Sequence, residues 1–126
     1  MKFNYSDIFI TIATNKIQLL VEFYSQVFQK QPTIYRSNIY AEFQLGQVRI
    51  SIFKPKLERQ SEFDNHSSSM SFCLEVDDLQ QAIACLADLG YPPPGKIIEA
   101  SHGQEIYAYD PIGNRLILHQ SKITLP

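Results

Sequence analysis

Arg49 and Arg115 occupy matching places in a chain that repeats its own plan, each opening the strand after a glycine-containing turn. Two arginines related in this way could flank a cavity and grip a carboxylate, a phosphate or a planar anion through paired N–H donors. Acids lie nearby, Glu42 for Arg49 and Glu105 or Asp110 for Arg115. Pairing with such an acid is the ordinary fate of a guanidinium taken out of water. His102, His119 and Glu105 are a second set, with the residue types of general acid–base chemistry if they come within about 3 Å of one another. Cys73 would be a nucleophile only if Arg49 or His119 stabilised its thiolate. Its ordinary reading, like that of Cys85, is a small buried free thiol. No Ser-His-Asp arrangement, phosphate-binding glycine loop or zinc cysteine pattern occurs.

These residues are positioned by two copies of one plan, residues 5–55 and 68–120, joined by a polar linker at 56–67 within a single domain of residues 1–126. Asp7 to Ala13 alternates Ile8, Ile10 and Ile12 against Phe9, Thr11 and Ala13, as a strand does. Asn15, three residues before Gln18, reads as a helix N-cap, and Ile17, Leu20, Val21, Tyr24, Val27 and Phe28 make the apolar stripe that follows. Strands are expected at Thr33–Arg36, Ile39–Leu45 and Val48–Phe53. In the second copy Ser69–Val76 is a strand, Asp77 caps a helix striped by Leu79, Ala82, Ile83, Leu86 and Leu89, and Gly90 ends it. Lys96–Ala100, Gln104–Asp110 and Asn114–Gln120 follow as strands, the last two joined by the Asp110-Pro111-Ile112-Gly113 turn.

A helix with one apolar stripe covers one face of its sheet, and the all-isoleucine side of the first strand suits that contact. The opposite face then carries Phe9, Thr11, Arg49, Ser51, Phe53, Ser71, Cys73, Arg115, Ile117 and His119, with Tyr40, Glu42, Glu105 and Tyr107 by the same parity. His102 stands where the chain enters the seventh strand.

The composition limits the partners. A chain of 126 residues with 44% hydrophobic and 19% charged content is an ordinary globular one, able to bury roughly two-thirds of its unfolded surface. A formal net charge of −2 with signs interspersed offers no footprint for nucleic acid or an anionic membrane. No apolar run nears the ~20 residues of a membrane span. The N-terminus enters a strand without a basic segment and apolar signal core, so a cytoplasmic protein is expected.

Three stretches give the chain its likeness. Val21-Glu22-Phe23-Tyr24-Ser25-Gln26-Val27-Phe28, Leu74-Glu75-Val76-Asp77-Asp78-Leu79 and Tyr107-Ala108-Tyr109-Asp110-Pro111-Ile112-Gly113-Asn114 resemble, in order and spacing, the vicinal oxygen chelate superfamily. That superfamily includes glyoxalase I, the bleomycin-resistance proteins and the extradiol dioxygenases. Phe28-Gln29 stands where Leu-Gly is usual, and Ile112 replaces an Asp. The resemblance implies an α+β fold of two βαβββ modules with cupped half-barrel sheets around a cavity, and a homodimer. In metal-dependent members it would place ligands near Phe9, Ser51, Ser71 and Ile117. None of these supplies an imidazole or a carboxylate, so no metal and no other cofactor is expected.

The function expected is therefore a metal-free small-molecule binding protein of the bleomycin-resistance type. It would hold an aromatic or amphipathic ligand, an anion included, in a dimer cavity walled by residues of the uncovered face. The alternative is a lyase or isomerase with a rebuilt metal site, or with metal-free acid–base catalysis by His102, His119 and Glu105.

Overall fold

The computed structural model describes residues 4, 6–64 and 69–122, and His66 of the linker lies outside them. The chain divides into two compact units, Met1–Asn65 and His66–Pro126. The first contains β1 (Ile10–Ala13), α1 (Ile17–Phe28), β2 (Ile34–Arg36), β3 (Tyr40–Leu45) and β4 (Val48–Phe53). The second contains β5 (Phe72–Glu75), α2 (Leu79–Asp88), β6 (Ile98–Ala100), β7 (Gly103–Tyr109) and β8 (Arg115–Ser121). Each is a βαβββ module with a four-stranded sheet, ordered β1-β4-β3-β2 and β5-β8-β7-β6. In both, the first strand runs parallel to the last and the other pairs are antiparallel.

Period-two alternation decides which side of each sheet the helix covers. In the first unit Ile12, Ala41, Phe43, Ile50 and Ile52 are buried together with Ile17, Leu20, Val21 and Tyr24 of α1. Phe28 continues this core, stacked on Tyr24 at 5.1 Å and edge-on to Phe43 at 5.5 Å. In the second unit Ile106, Ala108, Leu116 and Leu118 are buried with Leu79 and Leu86 of α2. Ile8 does not share the expected isoleucine face. It precedes β1 and is 81% exposed, because the parallel pairing with β4 begins only at Ile10.

The element ends show where local hydrogen bonding overrides the pattern. α1 is preceded by Lys16 and not capped by Asn15; its entry is instead held by Thr14 Oγ1, which accepts the Lys16 N–H at 2.9 Å. α2 is capped by Asp78, one residue later than expected, through an Oδ1 that accepts the Gln81 N–H at 3.1 Å. The linker is also more ordered than its composition suggests. Leu57–Phe63 form a 3-10 helix whose Phe63 packs edge-on to Phe53 at 5.6 Å, and Gln60 Nε2 donates to Asn15 Oδ1 at 3.2 Å.

Gln29 ends α1 in the left-handed conformation, φ 54°, with its N–H on Ser25 O. A side chain is unfavourable there, and the Gln29 Nε2 bond to Gln26 O at 2.7 Å partly offsets it. Gln29→Gly should therefore stabilise the first unit by about 0.5 kcal/mol, read as a small rise in denaturation midpoint.

Candidate functional site

The uncovered face of each sheet follows from register. In the second unit one cross-strand row is Cys73, Ile117 and Tyr107, and the next is Glu75, His119 and Glu105. Arg115 pairs with Tyr109 at the start of β8. In the first unit Thr11, Ser51 and Glu42 form one row and Ala13, Phe53 and Tyr40 another. Phe9 lies beyond the end of β1, beneath Arg49. The strand positions named from sequence thus share, within each sheet, the side opposite the helix-covered core, while Phe9, Ser71 and His102 lie outside the paired strands.

In the first unit the set is a closed charge cluster. Arg49 Nη2 donates to Asp7 Oδ2 at 2.8 Å, and its guanidinium lies 4.2 Å from the centre of the Phe9 ring. Glu42 stands farther off, 3.8 Å from Arg49 Nε, and accepts the Tyr40 hydroxyl at 2.8 Å. Asp7 is the close partner that the sequence did not single out. It reaches Arg49 because the segment before β1 runs alongside the start of β4. Ser51 is fully buried and its hydroxyl has no hydrogen-bond partner among the described residues.

In the second unit Arg115 Nε donates to Ser71 Oγ at 2.6 Å. Asp110 is buried and organises the turn that leads to Arg115. Its carboxylate accepts Ile112 N–H at 3.0 Å, Asn114 N–H at 2.9 Å and Asn114 Nδ2 at 2.7 Å. Tyr107 and Tyr109 are half-exposed beside Ile117. An open depression of about 300 Å³ runs beside Tyr109, lined by Tyr91, Pro92, Pro94 and Pro111, and does not include the histidines.

The expectation of buried thiols fails. Cys73 and Cys85 are both free and exposed. Cys73 belongs to the uncovered face, and Cys85 flanks the buried Leu86 on α2. Local desolvation, then the carboxylates of Glu105 and Glu75, push the Cys73 thiol up, so it is not poised as a thiolate nucleophile.

His102 and His119 do come together. His102 Nδ1 and His119 Nε2 are 2.8 Å apart, and His119 Nδ1 is 2.6 Å from Glu75 Oε1. The carboxylate that holds His119 is therefore Glu75, while Glu105 is its neighbour across the sheet. Sequence reading passed over Glu75 as part of a strand-to-helix entry, although its alternation with Cys73 places it on this face. The hydrogen bond with His119 holds the Glu75 carboxyl below its ordinary range, against local desolvation, with help from the Ser121 N–H at 2.8 Å and the two imidazoles. A carboxyl depressed on folding contributes stability that is complete above its unfolded value and lost as pH falls through the folded one. The difference in melting temperature between the protein and Glu75→Gln should accordingly be largest at neutral pH and vanish in acid.

The metal implied by the family resemblance does not fit these residues. Phe9 and Ile117 have no donor atom, Phe9 faces a guanidinium, and the Ser71 hydroxyl is engaged by Arg115. Among the described residues no group of three His, Cys, Asp or Glu side chains is arranged to hold a metal ion. Among them also, no helix is long and apolar enough to cross a membrane.

No protein-family model matches the chain, and no curated protein matches it. Solved structures do. A glyoxalase/bleomycin resistance protein from Catenulispora acidiphila is similar at 17% identity over 95% of this chain and 98% of that one, with a TM-score of 0.62. The fosfomycin resistance protein FosX from Mesorhizobium loti is 19% identical over 98% of this chain and 96% of that one, with a TM-score of 0.66. A lactoylglutathione lyase from Agrobacterium tumefaciens is 18% identical over 94% and 96%, with a TM-score of 0.67. The chain shares the two-module βαβββ fold of these structures.

Proposed function

We propose, starting from that fold, that this protein is a metal-free binder of a small aromatic or amphipathic molecule, an anion included, held in the cavity of a homodimer. One observation carries the reading. The uncovered face of the second sheet presents Tyr107, Tyr109, Ile117 and Cys73 only partly covered, with Arg115 at one end and His119 at the other. Flat apolar surface bounded by a few polar groups is how proteins receive drug-sized ligands. The absence of imidazole and carboxylate at Phe9, Ser51, Ser71 and Ile117 supports a role other than metal-dependent lyase or dioxygenase chemistry. Ser51, fully buried, and Ser71, whose hydroxyl accepts from Arg115, would lie behind the lining, while Tyr40, Glu42, Phe53 and Arg49 form the polar and aromatic surface of the first unit. The second unit's ligand set also takes in Glu105 and His102.

Ile8, Leu57, Met70 and Ile39 are large apolar side chains left between 64% and 81% exposed. Side chains exposed singly like these are ordinary on any protein surface, and the homodimer is proposed on the family resemblance. Two free thiols agree with a cytoplasmic protein in which residues 1–126 act as one domain. The similar structures include a glyoxalase/bleomycin resistance protein and a fosfomycin resistance protein, names that are in keeping with a small-molecule ligand.

Arg115→Ala tests the anion's anchor. It should weaken an anionic aromatic ligand at least tenfold, the loss expected for one charge-assisted hydrogen bond, with the melting temperature little changed. Isothermal titration would read it, and an unchanged dissociation constant would remove Arg115 from the site.

A further inference from the structure

We propose that Glu75, His119 and His102 form a proton-accepting site whose working atom is Nε2 of His102 and whose ligand presents an acidic O–H, as a phenol or an enol does. The ligand's aromatic body rests on the binding reading above; the proton-accepting property does not.

The direction of each hydrogen bond follows from the atoms available. An ionised Glu75 can only accept, so the proton in its 2.6 Å bond belongs to His119 Nδ1. A neutral His119 then has only a lone pair at Nε2, so the proton in the 2.8 Å bridge belongs to His102 Nδ1. A neutral His102 protonated at Nδ1 carries a bare lone pair at Nε2. The three side chains thus fix one tautomer of an exposed imidazole and make its outer nitrogen a base.

The neighbours hold this arrangement in place. Ser121 N–H fastens the other oxygen of Glu75 at 2.8 Å, and Lys122 N–H binds His102 O at 3.0 Å. The imidazoles lie with centroids 4.9 Å apart. Glu105 faces His119 from β7, Cys73 stands on β5 as a neutral thiol, and Lys122 follows β8 with its ammonium charge.

When a ligand O–H meets Nε2, the O–H bond breaks and an N–H bond forms on His102. The bridging proton moves from His102 Nδ1 to His119 Nε2. The positive charge comes to rest on His119 beside the Glu75 carboxylate, and the ligand keeps the electron pair as an oxyanion. One proton is transferred and nothing else is consumed. Storing the charge one ring away, next to a carboxylate, favours the ionised ligand over the neutral one.

Two measurements test this. In protein labelled with nitrogen-15 histidine, two-bond proton–nitrogen correlation at alkaline pH should show both imidazoles protonated at Nδ1, with His102 Nε2 bare. His102 protonated at Nε2 and bare at Nδ1 would overturn the assignment. The second uses para-nitrophenol, whose yellow anion reports proton transfer. Bound probe should be more ionised than free probe at the same pH, His102→Gln should abolish the gain, and Glu75→Gln should reduce the ionised-to-neutral ratio roughly tenfold. Ionisation that survives in His102→Gln overturns the site. A probe that fails to bind overturns the ligand class and counts against the binding reading, while the tautomers alone judge the three-residue chain.

Discussion

Gly103→Ala is expected to destabilise the second unit by about 4 kcal/mol, the largest effect of a methyl added at any glycine of this chain. Gly103 opens β7 opposite Ser121 at φ 154°, and a Cβ there would overlap the carbonyl oxygen of Gln120 and stand 3.1 Å from the Gln120 carbonyl carbon and the Lys122 nitrogen. All of these are backbone atoms of or next to β8, so no side chain can rotate away. The strand would have to separate from its partner or lose register at that end. His102 is the preceding residue, so the change should also part His102 from His119. Urea denaturation would read the stability loss. A midpoint within error of the parent protein would mean that β7 and β8 do not approach as closely as described.

Asp110→Ala should cost about 3 kcal/mol, because it deletes a buried acceptor of three hydrogen bonds and leaves two backbone N–H groups of the turn without their partner. Its backbone closes the same turn, with Gly113 N–H on Asp110 O at 3.0 Å and Asp110 N–H on Asn114 O at 2.9 Å. Asp110→Asn retains one acceptor oxygen and should lose about half as much. Thermal unfolding of the two variants would check the order. Since this turn delivers Arg115 to the start of β8, Asp110→Ala should weaken ligand binding along with stability, whereas Arg115→Ala should affect binding far more than stability.

The two modules were legible because each rests on a strong local signal: period-two alternation in the strands, one apolar stripe per helix, and glycine turns repeated at matching places. The same alternation identified the side of each sheet that carries Ser51, Cys73, Arg115, Ile117 and His119, since a one-residue shift would reverse every side chain. What it could not supply is depth and partnership. Ile8 has the right parity but lies outside the ladder, and Asn15 has the right spacing for a cap, yet Lys16 holds that position with no side-chain cap bond. Asp7 reaches Arg49 across 42 residues and Glu75 reaches His119 across 44, distances over which residue type gives no hint of contact. Glu75 could have been found by extending the parity of Cys73 by two residues. The 3-10 helix at Leu57–Phe63 was hidden because its order comes from Phe63 on Phe53, not from any period of its own.

The central claim is a protein that binds a small molecule without a metal, and it is tested most directly by native mass spectrometry with elemental analysis. The protein should be purified without chelators or affinity-tag metals. The expected result is a dimer free of stoichiometric metal, carrying or accepting one small aromatic molecule per site. One divalent metal ion per chain would contradict it, and would make His102, His119 and Glu75 the first residues to replace.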